Sequence, residues 1–363
     1  MSPEPIVVAF VASEFQVRGT SAYTLRLARR LPEFGFKPVI VSPDSECVPD
    51  VCRGKLDLLD YSFLETPLVG SLIAKLAARD LKKFQPRLVH VQSRQAIDSG
   101  HRIAKSLQVP YLLTVHDFTE GQEAIDLDPH LNAGVVAVSE YVREGLRKTS
   151  SDWRYSIDVI YSGVDIPKSD VGAHVLEAER TPVIGTAGPL EASKGLDFFL
   201  QAAKAVLDQG HDVEFLIAGS GPEESKLREL ARKLGIVPNV TFVTNLLDFG
   251  TCLRALDIFC LPSLSQGLGT IMLEAMALGR PVIASEVGGV TKIVQDGDTG
   301  LAVPPSDSAR LAERMIELLS NPARAREIGA KARSLVIDRF NVDRMVEETV
   351  RLYQRILTSP LSR

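Results

Sequence analysis

A chain of 363 residues is long enough for two compact domains of about 100–200 residues each, with a cleft between them as the natural place for a site. At 45% apolar and 24% charged residues, its composition excludes disordered, collagen-like and disulfide-scaffold chains. Lys and Arg number 41 against 46 Asp and Glu, and the resulting net charge of −5 excludes a general nucleic-acid binder, which needs a basic field.

The N-terminal MSPEPIVVAF places an acidic residue and two prolines before a strand-length apolar run, which is not the pattern of a signal peptide. No stretch approaches the roughly 18–20 apolar residues of a membrane span, so a cytoplasmic protein is expected. Cys47, Cys52, Cys252 and Cys260 form no CxxC pair and have no histidine cluster at zinc-ligand spacing. They read as free thiols in a reducing compartment, and no metal site is expected.

Short apolar runs alternate with amphipathic stretches, the pattern of α/β folds with parallel sheets and helical crossovers. In the first half, strands are expected at Ile6–Val11, Pro38–Val41, Leu88–Val91, Tyr111–Val115, Val135–Val138 and Val159–Ile160. Helical spacing marks Ser21–Glu33, Ser71–Phe84, Gln95–Leu107 and Glu140–Lys148, while 43–66 reads as a surface loop or a short hairpin. Asp165–Pro182 loses the rhythm and is the expected interdomain linker.

A second cycle follows, with strands expected at Val183–Ala187, Val213–Ala218, Val240–Val243, Ile258–Leu261, Val282–Ala284 and Leu301–Val303. Helices are expected at Leu196–Asp208, Glu223–Leu234, Thr270–Leu278, Ala309–Leu319, Ala323–Arg339 and Asp343–Thr358. Sheets of this kind collect ligands at the loops leaving the carboxyl ends of their strands.

Among those loops, Pro262–Leu273 (PSLSQGLGTIML) is the most informative. Gly267 and Gly269 bare the backbone where a helix begins, so its unpaired N–H groups and positive dipole end suit a phosphate or diphosphate. Glu274, a turn further in, directs a carboxylate toward hydroxyls bound near the same end. From spacing alone, an ordinary glycine-rich turn with an exposed glutamate remains an equal alternative.

The run SLSQGLGTIMLEAMALGRPVIA, Ser263–Ala284, resembles the donor-site signature of glycosyltransferase family 4. Further matches stand in order: VRGTSA at Val17–Ala22, LLTVHD at Leu112–Asp117, AVSEYV at Ala137–Val142, VIYSGVD at Val159–Asp165 and GPLEASKG at Gly188–Gly195. IAGSGPE at Ile217–Glu223, VGG at Val287–Gly289 and DGDTGLAV at Asp296–Val303 complete a resemblance that covers almost the whole chain.

The resemblance implies the GT-B fold of two facing Rossmann-like domains, with residues 1–168 on the acceptor side, 169–342 binding the donor, and a last helix at about 343–363 returning to the first domain. It implies sugar transfer from a UDP- or GDP-sugar to an acceptor hydroxyl, with retention, no metal and no further cofactor. The acceptor implied is a glycan, a lipid-linked molecule or a small molecule. By the same matching, Gly19 and Thr20 form a first-domain glycine loop, His116 lies near the transferred sugar, and Lys194 pairs with the diphosphate. Gly188 and the amides of Gly267, Leu268, Gly269, Thr270 and Ile271 face the donor, Glu274 binds the ribose hydroxyls, and Gln266 occupies the position that contacts the donor sugar.

Four positions depart from the family pattern. Gln266 stands where the first of two paired glutamates is usual, and Pro189 where an arginine usually grips the diphosphate. Lys292 replaces an acidic residue after VGG, and Ser162 replaces an asparagine. The lost charges at Pro189 and Gln266 favour, as the alternative, a relative that binds a nucleotide sugar or glycan without transferring it. An epimerase or phosphorylase on the same fold is a third reading, and an NAD enzyme is disfavoured because IAGSGPEE has glutamate where a dinucleotide fingerprint has its third glycine. Finally, the basic helical stretch Lys75–Arg87 reads as a solvated face, with weak peripheral contact to anionic lipid as its alternative.

Overall fold

The structure, a computed structural model, describes residues 4–13, 20–43, 56–67, 69–118, 124–149, 155–168, 172, 175–244 and 249–358. It divides into two compact units, one of residues Met1–Gly163 with Val342–Arg363, the other of Val164–Asn341. The sequence placed these divisions at residues 168 and 342.

Unit 1 carries seven strands: β1 (Ile6–Val11), β2 (Phe36–Ser42), β3 (Asp57–Asp60), β4 (Leu88–Val91), β5 (Tyr111–Val115), β6 (Asn132–Ala137) and β7 (Ile157–Val159). Its helices are α1 (Thr20–Arg30), α2 (Gly70–Leu81), α3 (Ile97–Leu107) and α4 (Glu140–Thr149). The strands pair in parallel in the order β3-β2-β1-β4-β5-β6-β7. The chain therefore reverses its direction of winding between β1 and β4, and the loops that leave these two strands flank a topological switch point.

Unit 2 repeats the plan with β8 (Val183–Ala187), β9 (Glu214–Ala218), β10 (Val240–Val243), β11 (Ile258–Leu261), β12 (Val282–Ser285) and β13 (Leu301–Val303). Helices α5 (Leu196–Asp208), α6 (Glu224–Lys233), α7 (Gly250–Ala255), α8 (Thr270–Ala277), α9 (Ser308–Ser320) and α10 (Pro322–Arg339) lie between and after them. The parallel order β10-β9-β8-β11-β12-β13 puts this unit's switch point between β8 and β11.

Burial on both faces explains why the central strands are unbroken apolar runs: Val8, Ala9, Phe10 and Val11 have no exposed surface, and neither do Ile258, Phe259 and Cys260. The last helix, α11 (Val342–Thr358), belongs to unit 1, where Val342, Met345, Val346, Val350, Leu352 and Tyr353 join the core of β1, β4 and α1. Its Tyr353 hydroxyl lies 2.5 Å from His90 Nδ1, and Thr114 Oγ1 lies 2.7 Å from Nε2 of the same ring. Burial pushes His90 down to about 3, so the ring is neutral and both nitrogens are used.

Several sequence expectations change. Segment 43–66 is neither a plain loop nor a hairpin where it is described: Asp57–Asp60 adds a parallel edge strand beside β2, in register Val39 with Asp57. Its half-exposed DLLD lacks the apolar run of the inner strands. Helix α7 was not expected, because six residues carry too little periodicity. The first expected helix stops at Arg30 and passes into a 3-10 turn at Leu31–Phe34, which begins at Pro32's lost N–H donor and ends on Gly35 at φ 78°.

Asp165–Pro182 is more than a linker. Val175 and Leu176 are buried in the unit 2 core, and the fully buried Asp257 accepts bonds from the N–H of Leu176 and of Val183, both at 2.7 Å, and from Arg180. Cys252 and Cys260 are free and buried, and burial raises the Cys260 thiol; Cys47 and Cys52 lie outside the described residues. The apolar side of the basic helix, Ala77 and Leu81, is buried in unit 1, while Lys75, Arg79, Lys82 and Lys83 face solvent. Among the described residues, no helix is long and apolar enough to cross a membrane.

Candidate functional site

Four of unit 2's strands deliver glycine-rich loops at their carboxyl ends. Gly188 follows β8 at φ 143°, with open space where a Cβ would stand. Gly219 follows β9, and a Cβ there would strike the Gly188 carbonyl, so these two turns pack backbone against backbone. The loop after β11 runs through Ser263, Gln266 and Gly267 into Gly269, whose φ of 87° caps the start of α8. The loop after β12 brings Gly289 against Gln266, whose carbonyl accepts its N–H at 3.2 Å. A Cβ at Gly289 would collide with the Gly267 carbonyl.

Into this frame the 3-10 turn Ala192–Lys194 carries Lys194, ended by Gly195 at φ 62°. Leu264 N–H bonds the Ser193 carbonyl at 2.8 Å, which ties that turn to the β11 loop. As a result Lys194 Nζ donates to Gln266 Oε1 at 3.2 Å, and Ser263 Oγ donates to the same oxygen at 3.4 Å. Lys194, Gln266 and the first residues of α8 therefore share one end of the unit 2 sheet. Gly267, Leu268 and Gly269 are buried, Thr270 and Ile271 half-buried, and Glu274 half-buried one turn inside α8. Side chains on a helix tilt toward its N-terminus, which directs Glu274 back toward the loop.

The assembly is a helix N-terminus with an ammonium and an amide at its mouth, an arrangement that holds anionic oxygens. Pro189 is exposed beside Gly188 and supplies no cation; Lys292 ends the 3-10 turn Gly288–Lys292 as an exposed side chain. A groove of about 280 Å³ runs nearby, between α5 and α6. Glu191, Asp197, Glu223 and Glu229 line it together with Lys226 and Lys233, which makes it a poor match for a phosphate.

Unit 1 places His116 just past β5. Its Nε2 lies 3.0 Å from the Gln92 carbonyl, and Tyr23 of α1 meets the ring edge-on, centroids 5.0 Å apart. A carbonyl only accepts, so Nε2 carries the hydrogen. Burial lowers His116 to about 4, which leaves Nδ1 unprotonated at neutral pH and able to accept from a hydroxyl. Gln92 itself is clamped: Thr24 Oγ1 donates to its Oε1 at 2.9 Å, and its Nε2 donates to the His90 carbonyl at 3.2 Å. Ser13 and Ser93 pair at 2.9 Å at the same strand ends.

Gly19 lies outside the described residues, and Thr20 begins α1. Tyr23, Thr24 and Ser263 were not singled out in the sequence, although all three lie inside or beside its quoted motifs; nothing in their spacing marks them. Among the described residues, no three His, Cys, Asp or Glu side chains converge as metal ligands.

Comparison with known proteins supplies the family. The family model for Glycosyltransferase Family 4 matches residues 17–168, and that for Glycosyl transferases group 1 matches residues 181–321. The chain is 26% identical to a 2-deoxystreptamine glucosyltransferase of Streptomyces kanamyceticus, over 92% of this chain and 98% of that protein. It is 37% identical, over 48% of each chain, to a GDP-mannose-dependent monoacylated alpha-(1-6)-phosphatidylinositol monomannoside mannosyltransferase of Corynebacterium glutamicum. The chain spans about half the length of several curated relatives it matches, at 46%, 45% and 48%. Among solved structures, Anabaena Alr3699/HepE in complex with UDP and glucose superimposes with a TM-score of 0.84, covering 96% of this chain and 100% of that one. At 17% identity this likeness shows the fold alone, the GT-B fold expected above.

Proposed function

Since this chain belongs to the family 4, group 1 glycosyltransferases, we propose that it moves a sugar from a UDP- or GDP-sugar to an acceptor hydroxyl, with retention at the anomeric carbon and without a metal. The observation that carries this reading is the convergence of Lys194, Gln266 and the α8 N-terminus at the carboxyl ends of β8 and β11. In the reaction the bond from the sugar C1 to the diphosphate oxygen breaks with its electron pair on that oxygen. The acceptor oxygen bonds to C1, and its proton passes to the departing diphosphate oxygen. Charge gathering on the departing diphosphate is met by Lys194 and by the N–H groups of Gly267–Ile271. Glu274 receives the ribose hydroxyls, and His116 accepts from a hydroxyl through Nδ1.

The acceptor belongs to cell-surface glycan, glycolipid or small-glycoside synthesis, the range spanned by relatives whose names specify a phosphatidylinositol mannoside and 2-deoxystreptamine. Calorimetry with UDP and GDP tests the assignment. One of them should bind below millimolar concentration, Glu274→Ala should weaken that binding about tenfold, and Lys194→Ala should lower turnover at least a hundredfold. Binding of neither nucleotide would overturn it. Activity should survive dialysis against EDTA. A second reading, a binder that transfers nothing, rests on Pro189 and Gln266, where charge is missing; sugar transfer from any donor rules it out.

A further inference from the structure

One hydrogen bond does not fix an imidazole. The bond from His116 Nε2 to the Gln92 carbonyl settles which nitrogen carries the hydrogen. It leaves the tilt of the ring loose, because the last torsion of a histidine has broad wells and an N–H donor tolerates about 30° of bending toward its acceptor. Nδ1 moves with that tilt, and Nδ1 is the atom whose lone pair is left for a ligand.

Tyr23 of α1 removes that looseness. Its ring stands at 80° to the imidazole with centroids 5.0 Å apart, the edge-to-face contact that aromatic rings prefer. The tyrosine is itself fixed: it is 2% exposed and belongs to the same core as Phe10, Leu27 and Tyr353. The next residue, Thr24, donates to Gln92 Oε1 at 2.9 Å, so two adjacent residues of α1 hold both the His116 ring and the residue that accepts from it. The Tyr23 hydroxyl is buried beside Thr114 of β5 and Thr349 of α11, which make no close hydrogen bond with it, so the ring rather than the hydroxyl is what position 23 contributes. Tyr23 and His90, titratable groups set against the imidazole from α1 and β4, are both uncharged at neutral pH, one pushed up by burial to about 12 and the other down to about 3.

We infer that Tyr23 is a positioning residue: it holds the His116 ring at the tilt that aims Nδ1 at a sugar hydroxyl, and it acts on the ligand only through that ring. The inference rests on the reading of His116 proposed above and adds the residue that sets its direction.

The test joins the titration of the ring to the affinity for donors, both on the full chain. Histidine signals followed by NMR against pH, with that of His116 identified by its absence in His116→Asn, should show the ring titrating at about 4 in the wild type and in Tyr23→Phe. In Tyr23→Leu, where water reaches the freed ring, it should titrate at least about one pH unit higher. Calorimetry with UDP-glucose, UDP-N-acetylglucosamine and GDP-mannose, each set against its bare nucleotide, reads the sugar contact. For the best of the three, affinity relative to the bare nucleotide should fall about tenfold in Tyr23→Leu and in His116→Leu, and stay within about twofold in Tyr23→Phe. Adding Tyr23→Leu to His116→Leu should lower it by less than about twofold more. Tyr23→Met fills much of the same space without a ring and should match Tyr23→Leu, which guards against a fold lost to a cavity. Equal losses for sugar and bare nucleotide, an additive double variant, or an unmoved His116 titration in the Leu and Met variants overturns the inference. Failure of UDP and GDP to bind, or a His116→Leu variant that keeps the wild-type ratio, overturns the donor reading instead, and the NMR titration alone then decides whether Tyr23 holds the ring.

Discussion

At the scale of single residues, direction matters more than proximity. His116 and Gln266 each face a partner whose hydrogen-bonding role is one-way, a carbonyl and an ammonium, and each is thereby forced to show one kind of group to a ligand. For His116 that group is a lone pair on Nδ1. Asparagine can place an acceptor oxygen near the Nδ1 position and leucine cannot, so His116→Asn should retain about tenfold more kcat/KM than His116→Leu. Because the wild-type ring titrates near 4, its contribution should be flat from pH 5 to 8. A kcat/KM that falls tenfold per unit below pH 6.5 and becomes flat in His116→Asn would show that the ring charges in the working range, against this assignment. The candidate residues His116 and Gln266 lie inside LLTVHD and SLSQGLG, runs that the sequence itself marks. Which way each group faces was not legible, because the partners that decide it lie elsewhere: Gln92 is 24 residues from His116, and Lys194 is 72 from Gln266.

At the scale of elements, the loop between β11 and α8 depends on backbone contacts that only glycine permits. The end of β12 delivers Gly289 to the Gln266 carbonyl and against Gly267, and the start of α8 is set by Gly269 at positive φ. Gly289→Ala should therefore push the β12 loop away from Gly267 and carry the first turn of α8 with it. We expect a loss of at least tenfold in nucleotide affinity from a misplacement of about 1 Å, with little change in the melting of unit 2, because its core of Ile258, Cys260, Ile283 and Leu301 is untouched. A variant that binds UDP or GDP like the wild type would show that the loop adapts. The elements themselves were mostly legible. β8 and β11 fall on their expected residues because buried apolar runs bounded by glycine, proline or charge leave little freedom. β3 and α7 escaped for the converse reason: one is a half-exposed edge and the other less than two turns long. The role of Asp257 in holding Leu176 and Arg180 was invisible, since 81 and 77 residues separate it from them.

For the molecule as a whole, the two units share a strand order and differ in how they bury charge-capable groups. Unit 1 holds His90 between Tyr353 and Thr114, and His116 against Gln92 and Tyr23; burial depresses both histidines, to about 3 and about 4. A histidine whose folded value is depressed stays neutral in the fold but takes up a proton on unfolding at any pH below about 6.5. The unfolded state then binds more protons, and stability falls as the pH drops from about 6.5 toward 4. At pH 5 the penalty is about 2 kcal/mol per histidine, or about 4 kcal/mol for the pair, a large share of the 5–15 kcal/mol typical of a domain. Glu65, raised by burial, acts in the opposite direction over the same descent. Acidification from pH 7 to 5 should therefore loosen unit 1 first. Hydrogen exchange followed by mass spectrometry should show β4, β5 and α11 losing protection while β8, β11 and β12 keep theirs. Loss of protection in unit 2 before unit 1, or no change in either down to pH 5, would mean that His90 and His116 do not govern the acid response.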